Sequence, residues 1–212
     1  ETRTPLNGII GPAELIREDP EMDTEERTMM LDMVLKSADR LHVLLNKAVT
    51  LGAMKSGSYE WQRVTYDLGH VVRAAVCNVA CYAEECQVEI EPKLSDVPLF
   101  LLDIGRVEET LRALLENAIR FSPTHGHVAI CVHHDQEHAC VRVTDAGEGI
   151  NPAFLSRIFD EFSALDIRHH AKGQGLSLAI ARQVVLAHNG TIGVESVPGT
   201  ETTFTIRLPC HG

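Results

Sequence analysis

The chain has few aromatic residues (5%) and a single tryptophan, no long apolar run, and far fewer basic than acidic side chains. Each shortage excludes something. The longest apolar candidate, Val71 to Ala83, is broken by Arg73 and Asn78, so no membrane contact by this chain is expected. Lys and Arg number 19 against 30 Asp and Glu, a net charge of −11 with no basic stripe. No nucleic acid partner is therefore expected, because a phosphate backbone is held by clustered cations. The six cysteines lack the Cys-x-x-Cys spacing of a zinc site. Cys77 and Cys81 fall four apart in an expected helix and read as ordinary thiols of a reducing compartment. His125, His127, His133, His134 and His138 lie close together in sequence, but alternating histidines in a strand and turn read as surface rather than as a metal site. No signal peptide or initiating Met opens the chain, so it reads as a piece of something longer.

What is present suits an ordinary globular protein of 212 residues, 44% hydrophobic and 23% charged, long enough for one or two domains. Residues 1 to about 18 read as a helix, with Leu6, Ile9, Ala13 and Ile16 on one face, and Pro5 and Pro12 predict kinks or a late start. A polar connector containing Pro20 follows. From Thr24 to about Lys55, Met30, Val34, Ser37, Leu41, Leu44, Ala48 and Leu51 step alternately by four and three, a coiled-coil seam interrupted by Ser37. A hairpin of two such helices cannot bury both apolar faces alone. Pairing two hairpins into a four-helix bundle would, which predicts a homodimer through residues 1–57.

Ser56-Gly57-Ser58 marks a boundary, and residues 58–212 read as mixed α and β. Strands are expected near Glu60–Tyr66, Gln87–Glu91, His127–His134, Ala139–Thr144, Thr191–Ser196 and Thr202–Leu208. Helices are expected near Leu68–Glu85, Ile104–Phe121, Pro152–Phe159 and Leu176–His188. The two types do not alternate strictly, which points to an α+β chain: the hairpin, then a sandwich of a mixed sheet with helices on one face. A basic, unpatterned loop between Phe162 and Gly173, carrying Arg168, His169, His170 and Lys172, reads as a lid.

Two glycine-bearing stretches carry the chemistry. Asp145-Ala146-Gly147-Glu148-Gly149 ends the apolar run Val141 to Thr144, so a sheet would fix the carboxylate while the backbone turns sharply at glycine. Gly173-Gln174-Gly175-Leu176-Ser177 precedes an apolar helix, where backbone N–H groups and the helix dipole favour an anion. A hydrogen-bonding base at one and a polyphosphate at the other make a nucleotide site.

With these motifs in order, the chain resembles the catalytic core of sensor histidine kinases of two-component systems over essentially all of its 212 residues. Glu1-Thr2-Arg3-Thr4-Pro5-Leu6-Asn7 is similar to the segment just after the family's phospho-accepting histidine. Leu114-Leu115-Glu116-Asn117-Ala118-Ile119-Arg120-Phe121 resembles its N box, Phe159-Asp160-Glu161-Phe162 its F box, and the two glycine stretches its glycine boxes. Gly199 to Pro209 is similar to its closing strand. The resemblance implies a dimerisation and phosphotransfer hairpin followed by an ATP-binding domain of the Bergerat type.

What the resemblance implies for single residues follows. Asp145 accepts a hydrogen bond from the adenine amino group, and Gly147 and Gly149 shape the loop under the base. Asn117 offers its side-chain oxygen to Mg²⁺. Arg120 offsets phosphate charge, Phe121 lies against the base or in the core, and Thr203 reaches the adenine edge through water. Lys172, Gly173, Gly175, Leu176 and Ser177 surround the phosphates. Glu1 orients the acceptor histidine, which the family's pattern places immediately before it, and Thr4 positions water for removing phosphate from the partner. That partner is a response regulator or receiver domain. The expected setting is cytoplasmic, as part of a larger sensor.

Two positions depart from the family pattern: Ala113, where the N box often starts with Asn, and Ser177, usually glycine. Gyrase-like and chaperone-like relatives carry a glutamate at the place of Ala113 as general base on water. Glu116 sits about 100° away around the helix and is a poor substitute, so simple hydrolysis is disfavoured. The expected activity is phosphoryl transfer from ATP to the hairpin histidine and on to an aspartate. The alternative is a degenerate, nucleotide-holding regulatory module without turnover.

Overall fold

The structure, a computed structural model, describes residues 3–135, 137–163 and 175–210. Helix α1 (Arg3–Glu18) and helix α2 (Thr24–Ser56) form an antiparallel hairpin. α1 runs unbroken, because Pro5 lies in its first turn, where no N–H is required. Pro12 is buried against the hairpin interior. Asp23, one residue before Thr24, caps α2 by accepting from the N–H groups of Glu25 and Glu26 at 2.8 and 2.9 Å. Gly57 ends it in the left-handed conformation at φ 74°.

The remainder is a two-layer sandwich. β1 (Arg63–Asp67) pairs antiparallel with β3 (Leu99–Asp103) in a separate ribbon. The main sheet has five strands in the order β2-β4-β5-β7-β6: β2 (Glu89–Leu94), β4 (His127–His134), β5 (His138–Asp145), β7 (Glu201–Pro209) and β6 (Thr191–Val197). β2 runs parallel to β4 and the other pairs are antiparallel. Pro92 sits within β2, where it is tolerated because β2 is an edge strand. Helices α3 (Leu68–Glu85), α4 (Ile104–Phe121) and α6 (Ser177–Ala187) cover one face, and α5 (Pro152–Leu155) is a single turn. The helix expected to reach Phe159 therefore stops at Leu155. The expected list also omitted β3, whose Leu-Phe-Leu-Leu run carries no alternation to mark it as a strand.

Two strand-to-helix joints turn on aspartate. Asp67 caps α3 through the N–H of Gly69 at 2.7 Å, and Asp103 caps α4 through that of Arg106 at 3.2 Å. The core lies between helices and sheet: Val71, Val72, Leu111, Leu114 and Leu115 meet Val128, Ile130, Val141, Val143 and Ile206, all buried. Each such side chain contributes about 1.5–3 kcal/mol by leaving water.

The hairpin docks on this core. Leu44, Leu51 and Met54 of α2 are buried in the same apolar cluster, with α2 lying against α6. The predicted α2 seam is thus divided, its N-terminal part on α1 and its C-terminal part on the sandwich. Ala48, expected in the seam, is exposed. A second apolar set, including Leu31, Leu35, Leu45 and Val49, faces outward at 48–72% exposure. No described helix is long and apolar enough to cross a membrane.

Candidate functional site

Asp145 is the last residue of β5. Its paired neighbours are Val128 on β4 and Thr202 on β7, so its side chain shares their helix-facing side of the sheet. It is only 4% exposed. Burial pushes its carboxyl up to about 6, against the opposing N–H of Gly147 and with a further upward push from Glu201. That N–H donates to Asp145 Oδ1 at 3.0 Å.

The two glycines after Asp145 are there for lack of room. A Cβ on Gly147 would stand 2.5 Å from the Phe121 carbonyl oxygen and 2.7 Å from Asp145 Oδ1. Gly149 has φ +69°, and a Cβ there would strike the backbone of Val197. The Gly199 N–H donates to the Glu148 carbonyl at 2.7 Å, tying this loop to the β6–β7 turn.

Thr203 lies on the other side of the sheet. The register pairs it with Thr144, and their hydroxyls meet at 2.9 Å. Thr202, not the expected Thr203, is the residue that shares Asp145's face. Ser196 Oγ donates to the Glu201 carbonyl at 2.8 Å and accepts from the Ile150 N–H at 2.8 Å. With that proton used, the 3.0 Å contact between Ser196 Oγ and Thr202 Oγ1 takes its hydrogen from Thr202. Thr202 thus keeps acceptor capacity on the Asp145 side.

Along α4, Ala113, Asn117 and Phe121 follow at steps of four and share one stripe. Asn117 is half-buried, and its Oδ1 accepts from Arg120 Nη2 at 2.5 Å. The Arg120 guanidinium stacks 4.7 Å from the Phe121 ring centroid. Arg120 Nε is buried and has no hydrogen-bond partner among the described residues. Burial lowers the Arg120 pKa, against the attraction of Tyr82 and Glu116. Glu116 is exposed and pairs with Arg112 at 3.9 Å.

At the other end of the stripe, Ser177 opens α6, whose N-terminus has no side-chain cap among the described residues. Leu176 is 1% exposed, so its side chain belongs to the core and only its backbone is available to a ligand. The Gly175 carbonyl accepts from the Phe162 N–H at 2.9 Å. Ser177 Oγ accepts from Lys47 Nζ at 2.9 Å, a contact to the hairpin that no local motif signals. Thr4 is exposed in the first turn of α1. Glu1, Lys172, Gly173 and the basic loop fall outside the described residues.

His188, also buried, has a structural task. Its Nε2 accepts from the Asp103 N–H at 2.9 Å while Nδ1 donates to the Val184 carbonyl at 2.7 Å. It ties the end of α6 to the start of α4, and burial lowers its pKa.

α4 is the common support. Its Phe121 end closes over the Asp145 loop, and its Ala113 turn faces Ser177, eight residues or about 12 Å away. This α+β sandwich thus carries a buried carboxylate at one end of α4 and a helix start at the other, the two features that a nucleotide's base and phosphates would require.

Comparison with known proteins is more specific. Residues 102–212 match the family model "Histidine kinase-, DNA gyrase B-, and HSP90-like ATPase", and residues 1–57 match the "His Kinase A (phospho-acceptor) domain". The circadian input-output histidine kinase CikA of Synechococcus elongatus is 30% identical over 99% of this chain and 28% of its own length. The sensor histidine kinase WalK of Bacillus subtilis is 29% identical over 99% of this chain and 35% of its own. The chain therefore spans about a third of these relatives. The Acinetobacter baumannii histidine kinase AdeS shares the fold at a TM-score of 0.82 and 22% identity, covering 99% of this chain and 97% of that one. Full-length ShkA in complex with AMPPNP aligns at a TM-score of 0.77 and 27% identity, covering 98% of this chain and 43% of that one. The chain belongs to the histidine kinase-, DNA gyrase B- and HSP90-like ATPase family, and its His Kinase A segment places it among the sensor histidine kinases.

Proposed function

We propose that residues 58–212 bind Mg²⁺-ATP along α4, with adenine at Asp145 and the phosphates toward the N-terminus of α6. The observation that carries this is the α4 stripe, which links a buried carboxylate at one end to an uncapped helix start at the other. Asp145 accepts from the adenine amino group, with Thr202 beside it. ShkA, solved in complex with AMPPNP, supports a nucleotide in this fold.

Asn117 fits Mg²⁺ as a single oxygen donor. Among the described residues no group of three His, Cys, Asp or Glu side chains could hold a metal. That donor set suits an ion carried chiefly by phosphate and water rather than caged by protein. Bound there, the metal would neutralise phosphate charge. Arg120 sits beside Asn117 and would add a second positive charge once its bond to Oδ1 is released.

The hairpin, residues 1–57, acts as dimerisation and phosphotransfer unit. Its outward apolar set supports a homodimer, since pairing two hairpins removes it from water. The γ-phosphoryl passes to the histidine that the family pattern places before Glu1, then to an aspartate of a response regulator or receiver domain. Glu1 orients that histidine, and Thr4 positions the water that hydrolyses the partner's aspartyl phosphate to release inorganic phosphate. Lys172 and Gly173 complete the phosphate site. The chain acts as the cytoplasmic core of a larger sensor.

The test uses protein that includes the residue encoded before Glu1, incubated with γ-labelled ATP and Mg²⁺. The expected product is an acid-labile, base-stable label. Bound ATP without label, or a residue other than His at that position, overturns the kinase reading in favour of a nucleotide-holding regulatory module.

A further inference from the structure

Lys47 is separated from Ser177 by 130 residues, yet its ammonium donates to the Ser177 hydroxyl at 2.9 Å. The two side chains border a cavity of about 30 Å³ between α2, α4 and α6, also lined by Thr110, Ala113 and Glu116. That volume holds roughly one oxygen atom with its hydrogens, a single water or one oxygen of a larger anion. Ala113 matters here, because any larger side chain at that turn would occupy the space.

The groups around this cavity are rich in donors. Lys47 keeps two N–H bonds beyond the one to Ser177, and Ser177, accepting from Lys47, keeps its own hydroxyl hydrogen. Thr110 is 3% exposed, and its Oγ1 has no hydrogen-bond partner among the described residues. The first N–H groups of α6 receive no side-chain cap among the described residues. Among neighbouring charges, Glu109 is engaged by Arg106 at 2.7 Å and Glu116 by Arg112 at 3.9 Å. Lys47 is left with a neutral hydroxyl as its direct partner among the described residues, and half-burial lowers its pKa despite Glu109 and Glu116. A partly desolvated ammonium beside an open helix N-terminus and an unpartnered hydroxyl is arranged for an anionic oxygen.

Resting on the nucleotide reading above, we propose that Lys47 is a phosphate-binding residue contributed by the hairpin. It contacts the terminal phosphate of ATP at the start of α6 through the cavity that Ala113 leaves open. Lys47 thereby supplies the polar group that Ala113 removes from α4.

The test measures ATP and ADP affinities by titration calorimetry on the full chain, for the natural protein, Lys47→Met and Lys47→Arg. Lys47→Met is expected to weaken ATP roughly tenfold and to change ADP less than about twofold, with Lys47→Arg retaining most of the ATP affinity. Unchanged ADP binding also shows that the variant is folded. Equal losses for both nucleotides would mean that Lys47 only packs the hairpin. Tighter ATP binding would make the Lys47–Ser177 contact a latch that ATP must displace. Either result, or unchanged ATP affinity, overturns the proposal. If the natural protein binds neither nucleotide, the nucleotide reading itself fails and this inference with it.

Discussion

Asp145 carries the sharpest residue-scale consequence, because its pKa of about 6 lies above the ordinary 3.8. A raised carboxyl stabilises the free protein fully below about 3.8 and ceases to do so as pH rises through about 6. On the proposed reading nucleotide binding runs the other way, since the ionised carboxylate is the stronger acceptor for the adenine amino group. ATP affinity should therefore fall about tenfold between pH 7 and pH 5. Asp145→Asn should bind more weakly and lack that component of the slope. Parallel pH profiles for the two proteins would remove the carboxylate from the base contact. Gly147→Ala tests the neighbouring constraint. Its Cβ would have to displace the Phe121 carbonyl or the Asp145 carboxylate. Thermal unfolding should show a loss of about 1–3 kcal/mol together with weakened ATP binding. At this scale the sequence placed Asp145 at a strand end with a tight glycine turn after it, because an acid closing an apolar run is a local pattern. It did not choose between Thr202 and Thr203. Two adjacent threonines are equivalent until pairing with Asp145 and Thr144 assigns each to a face of the sheet.

Among the elements, α2 does two jobs with one helical surface. Met30, Val34 and Ser37 turn inward at half-burial, while Leu31, Leu35 and Val49 remain in water at 48%, 63% and 72% exposure. Sedimentation should find the natural chain dimeric and Leu35→Glu/Val49→Glu monomeric, with helical content unchanged. A dimer that survives both charges would place the interface elsewhere. Helices were legible because their caps and 3.6-residue period are local: α2 begins and ends within a residue of where its pattern starts and stops. The ribbon strand β3 was not, since Leu99–Asp103 is short, carries no alternation and is defined by pairing with the distant strand Arg63–Asp67. The same holds for the residues after Leu155, whose apolar pattern resembles a helix although the chain there forms successive turns.

At the scale of the whole molecule, the hairpin and the sandwich share an apolar core through Leu44, Leu51 and Met54. Lys55 and Glu161 meet at 2.6 Å across the same joint, but both are largely exposed and this pair adds no more than about 1 kcal/mol. Apolar docking decides. Leu51→Ala should weaken the joint by about 2–5 kcal/mol, detected as hairpin and sandwich unfolding in separate denaturant transitions where the natural protein shows one. A single unshifted transition would mean that Leu51 contributes little to the docking. The predicted seam contained Leu44 and Leu51 but assigned them to a helical partner, because periodicity states that a face is apolar and not what covers it.

The sequence by itself determined the hairpin, the mixed sheet under one helical layer, and the family of the chain, and it singled out Asp145, Asn117 and the glycine motifs as candidates for the proposed ATP site. Capping, alternation and glycine turns are all set within a few residues of chain. The tertiary structure alone decided that Thr202 rather than Thr203 faces Asp145, that Leu44 and Leu51 of the α2 seam belong to the sandwich, and that Lys47 arrives beside Ser177 from 130 positions away. Strand register and the docking of one packed layer on another are settled by burial summed over the whole chain, which no local stretch encodes.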